Sequence, residues 1–299
     1  MNMDNTAEWT PECVWDAKAT LGEGPLWSVR EQSLYWVDIL RKRLHRFTPD
    51  TGERRAWEFD QEISSVAERA EVPGLVVTLR HGFASFDPAT ETLQSLAEPE
   101  RELSDNRFND GKVDRNGRYW AGTVEFGCKE PAGSLYRLLP DGRCDRMDSG
   151  YIVTNGPTWS DDCLTMYFND SALGHVYAFD FDPDTGTLDN KRLFLQFGAE
   201  DGSPDGMTTD AAGHLWIAHW GCGKVTRRDP HDGKVLQTIS LPCSHVTSCA
   251  FGGPDFRTLF ITTARTGLTE KELEREPLAG GLFAVTLDVA GVPANRFAG

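Results

Sequence analysis

Short runs of apolar and aromatic residues alternate along this chain with segments rich in Asp, Pro and Gly. Leu34–Val37, Leu75–Thr78, Tyr119–Ala121, Met166–Phe168, Leu215–Ala218 and Leu259–Ile261 are built from β-formers, and each is followed by a second strand-like run. Polar turns punctuate the pattern: TPDTGE at Thr48, DPATET at Asp87, LPDGR at Leu139, DPDTGT at Asp182 and DPHDGK at Asp229. Their Gly and Asp residues tolerate the positive φ that tight hairpins need. Sustained 3.6-residue apolar periodicity is nearly absent, and the one helical candidate is LTEKELEREP from Leu268.

The pattern repeats. Units begin at Ser33, Leu75, Arg118, Thr165, His214 and Thr258, spaced 42, 43, 47, 49 and 44 residues apart. Repeats of this length, each holding about four strands, are the signature of a β-propeller. The expectation is an all-β chain, a single domain over residues 1–299, with six four-stranded blades around a central channel. A β-sandwich has no need of six near-equal units.

Polar residues recur just ahead of the apolar strands. Glu23-Gly24 stands in LGEGPLW, Asp110-Gly111 in RFNDGKVDRNGRYWAGT, Asn155-Gly156 in TNGPTWS and Asp205-Gly206 in SPDGMTTD. The other two units carry ISSVAE and VTSCAF instead. The innermost strand of each blade lines the channel, so equivalent positions on different blades form a ring around one mouth. Glycine allows a tight backbone turn near the crowded axis. Three carboxylates and one amide in such a ring repel one another unless they bind protons or a cation. An all-oxygen donor set suits a hard divalent ion. The competing reading is that each residue hydrogen-bonds backbone amides between blades, as Asp and Asn before Gly commonly do.

Composition narrows the partners. The formal net charge of −16 repels phosphate backbones and anionic lipid, so neither nucleic acid nor a membrane is expected. No apolar window is long enough for a spanning helix, and the first residues show neither the basic nor the apolar region of a signal peptide. Seven cysteines without a C-x-x-C pair point to reduced thiols and a cytoplasmic location. The motifs of serine hydrolases, zincins, P-loops and dinucleotide folds are missing. His219 follows an apolar strand and is the one histidine considered for the channel, although packing is the commoner role for a lone histidine.

LGEGPLW, RFNDGKVDRNGRYWAGT, TNGPTWS, SPDGMTTDAAGHLW, TSCAFGGPDFRTLFITTAR and AGGLFAV closely resemble the senescence-marker-protein, regucalcin and gluconolactonase family. The resemblance runs from about Val14 to the terminal RFAG, and CVWDAKATLGEGPLW also resembles bacterial pentonolactonases. It implies a propeller that holds one divalent ion (Ca²⁺, Zn²⁺, Mg²⁺, Mn²⁺ or Fe²⁺) and opens the ester ring of sugar-acid lactones. Carried over, the metal ligands fall on Glu23, Asn155 and Asp205, and the proposed base falls on Asp205 as well. The substrate contacts fall on Arg107 and Asn109. An acidic substrate contact belongs in the loop after AGT, which here reads VEFGCKEPAGS, so Glu125 takes the role with Glu130 as its competitor.

The resulting expectation is a metal-dependent hydrolase acting on a small-molecule aldonolactone, as a monomer or weak homodimer. Rival readings are a calcium-binding regulatory propeller without turnover and a different propeller hydrolase that cleaves phosphotriesters. A protein-binding propeller of the YWTD kind would repeat LYWVD, which occurs once, at Leu34.

Overall fold

A computed structural model describes residues 9–299; residues 1–8, part of the stretch read for a leader, lie outside the described residues. The strands form six four-stranded antiparallel sheets. Five are consecutive in sequence, spanning residues 22–58, 63–97, 106–151, 154–196 and 203–240, and are blades 1 to 5. The inner strands, Gly22–Ser28, Ile63–Glu68, Asn106–Val113, Thr154–Trp159, Ser203–Thr209 and Val246–Gly252, pack each on the next and the last on the first, closing a ring. The molecule is a six-bladed β-propeller.

Blade 6 is not continuous. Its three inner strands are Val246–Gly252, Thr258–Thr263 and Leu282–Thr286, and its outermost strand is Glu12–Trp15 from the other end of the chain. The repeat count foresaw six blades but not this closure, because four residues, ECVW, carry too little periodicity to be read as a strand. The expected helical turn is present at Glu270–Arg275, where Thr269 and Glu272 form a reciprocal capping box.

The apolar runs are the second strands of the blades. Ser33–Asp38 is buried along its whole length, whereas the outermost strand Glu53–Glu58 buries only Trp57. A strand covered on both faces has no polar alternation to show, so these runs read as continuous apolar segments. Trp36, Trp120 and Trp216 stand in the second strands of blades 1, 3 and 5 and are fully buried between blades. Each such side chain removes about 150–250 Å² from water, a gross gain of about 4–6 kcal/mol before entropy.

The D-x-x-G turn between first and second strands has a structural reason. Asp114 accepts from the Asn116 and Arg118 amides at 2.9 and 3.1 Å and from Trp120 Nε1 at 2.8 Å. Asp210 repeats the arrangement with Ala212, His214 and Trp216 at 2.9, 3.0 and 2.9 Å. One buried carboxylate thus closes the turn and satisfies the indole that the next strand buries.

At the end of the channel where the inner strands finish, the C-terminal residues cross the propeller. Bridges join Gly291 to Asp210 and Phe297 to Arg69, and Asn295 Nδ2 donates to Val113 O at 3.1 Å. A cavity of about 270 Å³ lies there, with Lys112, Trp159 and Asn295 in its wall. The opposite end, where the inner strands begin, carries the ring residues.

Candidate active site at the channel mouth

Every inner strand carries one residue more than its partner strand at the level of the ring. The register slips between Glu23 and Leu26, Phe108 and Gly111, Asn155 and Thr158, and Pro204 and Met207, with shorter slips after Ile63 and Val246. A bulge bends the strand and re-aims its side chains. Gly156 meets this with a φ of +56°, and Gly206 by its lack of a side chain, since a Cβ there would lie 2.1 Å from Ser248 Oγ. The oxygen-then-glycine signature is therefore a bulge signature.

The bulges bring the ring together. Glu23, Arg107, Asn109, Asp110, Asn155 and Asp205 are all buried, at 4–7% exposure. Arg107 Nη1 donates to Asn109 Oδ1 at 2.6 Å. Asn109 Nδ2 donates to Asn155 Oδ1 at 2.9 Å and to Thr154 O at 2.6 Å. Asn155 Nδ2 donates to Ser171 Oγ at 2.9 Å, and Ser171 Oγ donates to Pro204 O at 2.6 Å. One directional chain of hydrogen bonds links Arg107 to the residue before Asp205, across blades 3, 4 and 5.

The fourth ring member behaves differently. Asp110 accepts from the Gly111 amide at 2.7 Å and, across the blade seam, from the Gly156 amide at 2.8 Å. Both of its oxygens are committed to the backbone, the role weighed against metal binding for this pattern. Glu23 engages one oxygen, accepting from Gly24 N at 3.1 Å. Asp205 Oδ1 is buried and has no donor among the described residues.

Electrostatics follow from this packing. Burial first, and the Asp110 carboxylate second, push Glu23 up to about 8, against the pull of the Gly24 amide, Arg107 and Lys112. Asp205 is raised well above the ordinary carboxylate range by burial and then by Glu23 and Asp110. Burial also raises Asp110, opposed by Lys112 and its two amides, and lowers Lys112 and Arg107, opposed by the neighbouring acids. An orphaned buried acceptor beside a second raised carboxylate is a donor arrangement that suits a hard cation. Among the described residues no three His, Cys, Asp or Glu side chains cluster for a metal; the expected set has two acids and one amide, Glu23, Asp205 and Asn155, and its all-oxygen chemistry fits a hard divalent ion.

Glu125 is not hydrogen-bonded to this network. Its carboxylate accepts from the Gly127 and Lys129 amides at 2.7 and 3.4 Å and so closes its own turn, while Glu130 is exposed. His219 is a packing residue. Its ring stacks on Phe197 with centroids 4.7 Å apart, its nitrogens meet Asp201 O and Thr226 Oγ1 at 2.7 and 2.8 Å, and burial depresses it to about 4.

Several members of the site were not foreseen. Asp38 accepts from Thr20 and Leu21 at 2.8 and 3.1 Å, and Asp170 from Ile152 and Val153 at 2.9 and 3.1 Å. Each anchors the entry of its blade's inner strand, just before Glu23 and Asn155. Asn169 and Ser171 touch blade 5, and Glu100 holds Asn106, next to Arg107, at 2.9 Å. The available signal was polarity where an apolar strand ends, as in YWVD and YFNDS.

The family model described as SMP-30/Gluconolactonase/LRE-like region matches residues 21–265. Regucalcin of Gallus gallus is 39% identical over 294 residues, which cover 96% of this chain and 98% of that one. A solved structure described as a calcium-binding protein, regucalcin, from Agrobacterium tumefaciens superposes with a TM-score of 0.93 at 28% identity, covering 97% of this chain and 98% of that one. A gluconolactonase from Xanthomonas campestris superposes with a TM-score of 0.75 at 26% identity, covering 94% and 91%.

Proposed function

The chain belongs to the SMP-30/gluconolactonase family, and we propose that it is a metal-dependent lactonase that opens the ester ring of sugar-acid lactones at the mouth of its channel. One observation carries the reading: Asp205, with its orphaned Oδ1, lies in one buried mouth with Glu23, Asn155 and Arg107. Glu23, Asn155 and Asp205 would hold a single divalent ion. The chemistry such an ion supplies when bound is polarisation of an ester carbonyl and acidification of a water molecule.

The chain's own groups do the rest. Asp205, whose buried Oδ1 has no donor among the described residues, takes the proton of the attacking water. Arg107, with one nitrogen tied to Asn109, directs its guanidinium toward substrate oxygens. Asn109 has both amide ends engaged and holds Arg107 and Asn155 in place. A substrate of this class is an uncharged ring rich in hydroxyls, which a strongly acidic protein does not repel.

The test is a pH-indicator screen of five- and six-membered aldonolactones against an unsubstituted lactone. Acceleration of the hydroxylated rings supports the reading. Tight divalent-ion binding with no acceleration of any lactone supports a calcium-binding regulatory propeller without turnover; the Agrobacterium structure is described as a calcium-binding protein.

A further inference from the structure

Blade 4 holds the bulge of blade 5 by two side chains. The register of blade 5 is interrupted between Pro204 and Met207, so Asp205 lies outside regular pairing. Across the seam, Ser171 Oγ donates to Pro204 O at 2.6 Å and Asn169 Nδ2 donates to Asp205 O at 2.6 Å. Both donors come from the mouth end of blade 4, where the strand Thr165–Asp170 runs into a short turn. Ser171 also accepts from Asn155 Nδ2 at 2.9 Å, so one hydroxyl touches both the Asn155 side chain and the backbone before Asp205.

Asn169 is fully buried, and its Oδ1 has no hydrogen-bond partner among the described residues. For packing alone, an apolar side chain would serve this position without stranding an acceptor, since an unsatisfied buried polar atom costs stability. What the amide does here is hold the carbonyl of the residue whose carboxylate faces the ring.

We infer that Ser171 and Asn169 are positioning residues that set Asp205, and through Ser171 also Asn155, in the geometry the site needs. The inference rests on the proposed function in naming Asp205 and Asn155 as ligands. Loss of a group that orients a ligand from behind commonly weakens metal binding about 10- to 100-fold. Ser171→Ala and Asn169→Ala each remove one donor, and Ser171→Thr keeps the hydroxyl.

The experiment uses the full chain, titrates Mn²⁺ calorimetrically into metal-stripped wild type and the three variants, and compares crystal structures of the metal-free proteins. The expected result is Mn²⁺ binding weakened roughly 10- to 100-fold in each Ala variant and retained in Ser171→Thr. Pro204–Asp205 should be displaced in the Ala variants. Wild-type affinity in both Ala variants, with Pro204–Asp205 in place, overturns the inference. If wild type itself binds no Mn²⁺, the proposed function fails while the crystal structures still decide: a shifted Asp205 sustains the positioning role and an unmoved one removes it. If Asn169→Ala does not fold, Ser171→Ala, which alters a residue in the turn after the strand, carries the same comparison.

Discussion

Asn109 Nδ2 donates to Asn155 Oδ1 at 2.9 Å across the seam between blades 3 and 4. The contact joins a residue expected to bind substrate to one expected to bind metal, and it divides the roles of Arg107 and Asn109. Asn109 is held at both ends of its amide, whereas Arg107 is tied through one nitrogen.

Asn109→Ala is therefore expected to weaken divalent-ion binding by about 10- to 100-fold in addition to lowering kcat/KM. Arg107→Ala should leave ion binding unchanged or tighter, because a nearby positive charge is removed, while kcat/KM falls about 10- to 1000-fold through lost polar contacts. The loss should be larger for hydroxylated lactones than for an unsubstituted one. Calorimetry and paired kinetics check both; equal losses on the two substrates would make Arg107 structural.

The raised carboxylates set a pH dependence. Glu23 is held near 8 in the metal-free fold, against about 4.3 when unfolded. A raised acid stabilises the fold fully below its unfolded pKa, and that contribution disappears as pH climbs through the folded one. Metal-free wild type should thus lose stability between about pH 4 and 8, and Glu23→Gln should flatten this slope. Because a cation must displace the protons, its affinity should rise over the same window and level off above it, with proton release seen in buffers of different ionisation enthalpy. A Glu23→Gln protein with an unchanged pH slope would remove Glu23 as the cause.

Glu125 closes its own turn through Gly127. Glu125→Gln keeps an acceptor for those amides and should leave both stability and KM close to the wild-type values. A tenfold rise in KM with unchanged stability would instead make Glu125 a substrate contact.

The six blades and the ring were legible because they repeat. A bulge needs a glycine or a small residue at the same place in each blade, so Gly24, Gly111, Gly156 and Gly206 stand out against the strand pattern. What separates the four ring residues was not legible. Asp110 differs from Asp205 by a hydrogen bond from Gly156, on another blade, and local sequence carries no record of a neighbour 46 positions away. The clamp at Asn169 and Ser171 was hidden for the same reason, as was the partner of Glu12–Trp15 at the far end of the chain.

That closing strand gives a separate stability test. Trp15 packs edge-on against Trp36 and His45, with centroids 5.4 and 4.9 Å apart. Trp15→Ala should cost about 2–4 kcal/mol, somewhat less than a fully buried aromatic, and lower the thermal midpoint. Lactone turnover per folded molecule should stay at the wild-type value, since Trp15 lies on the outer strand and not in the ring.

The most direct measurement follows lactone opening while a divalent ion is titrated into chelator-stripped wild type and Asp205→Ala, with bound metal counted by elemental analysis. Wild type should lose its acceleration on stripping and recover it at one ion per chain, and Asp205→Ala should stay slower by orders of magnitude at every ion concentration. Full turnover by protein shown to be metal-free, or near-normal turnover by Asp205→Ala, would contradict the assignment of the mouth as a metal-dependent lactonase site.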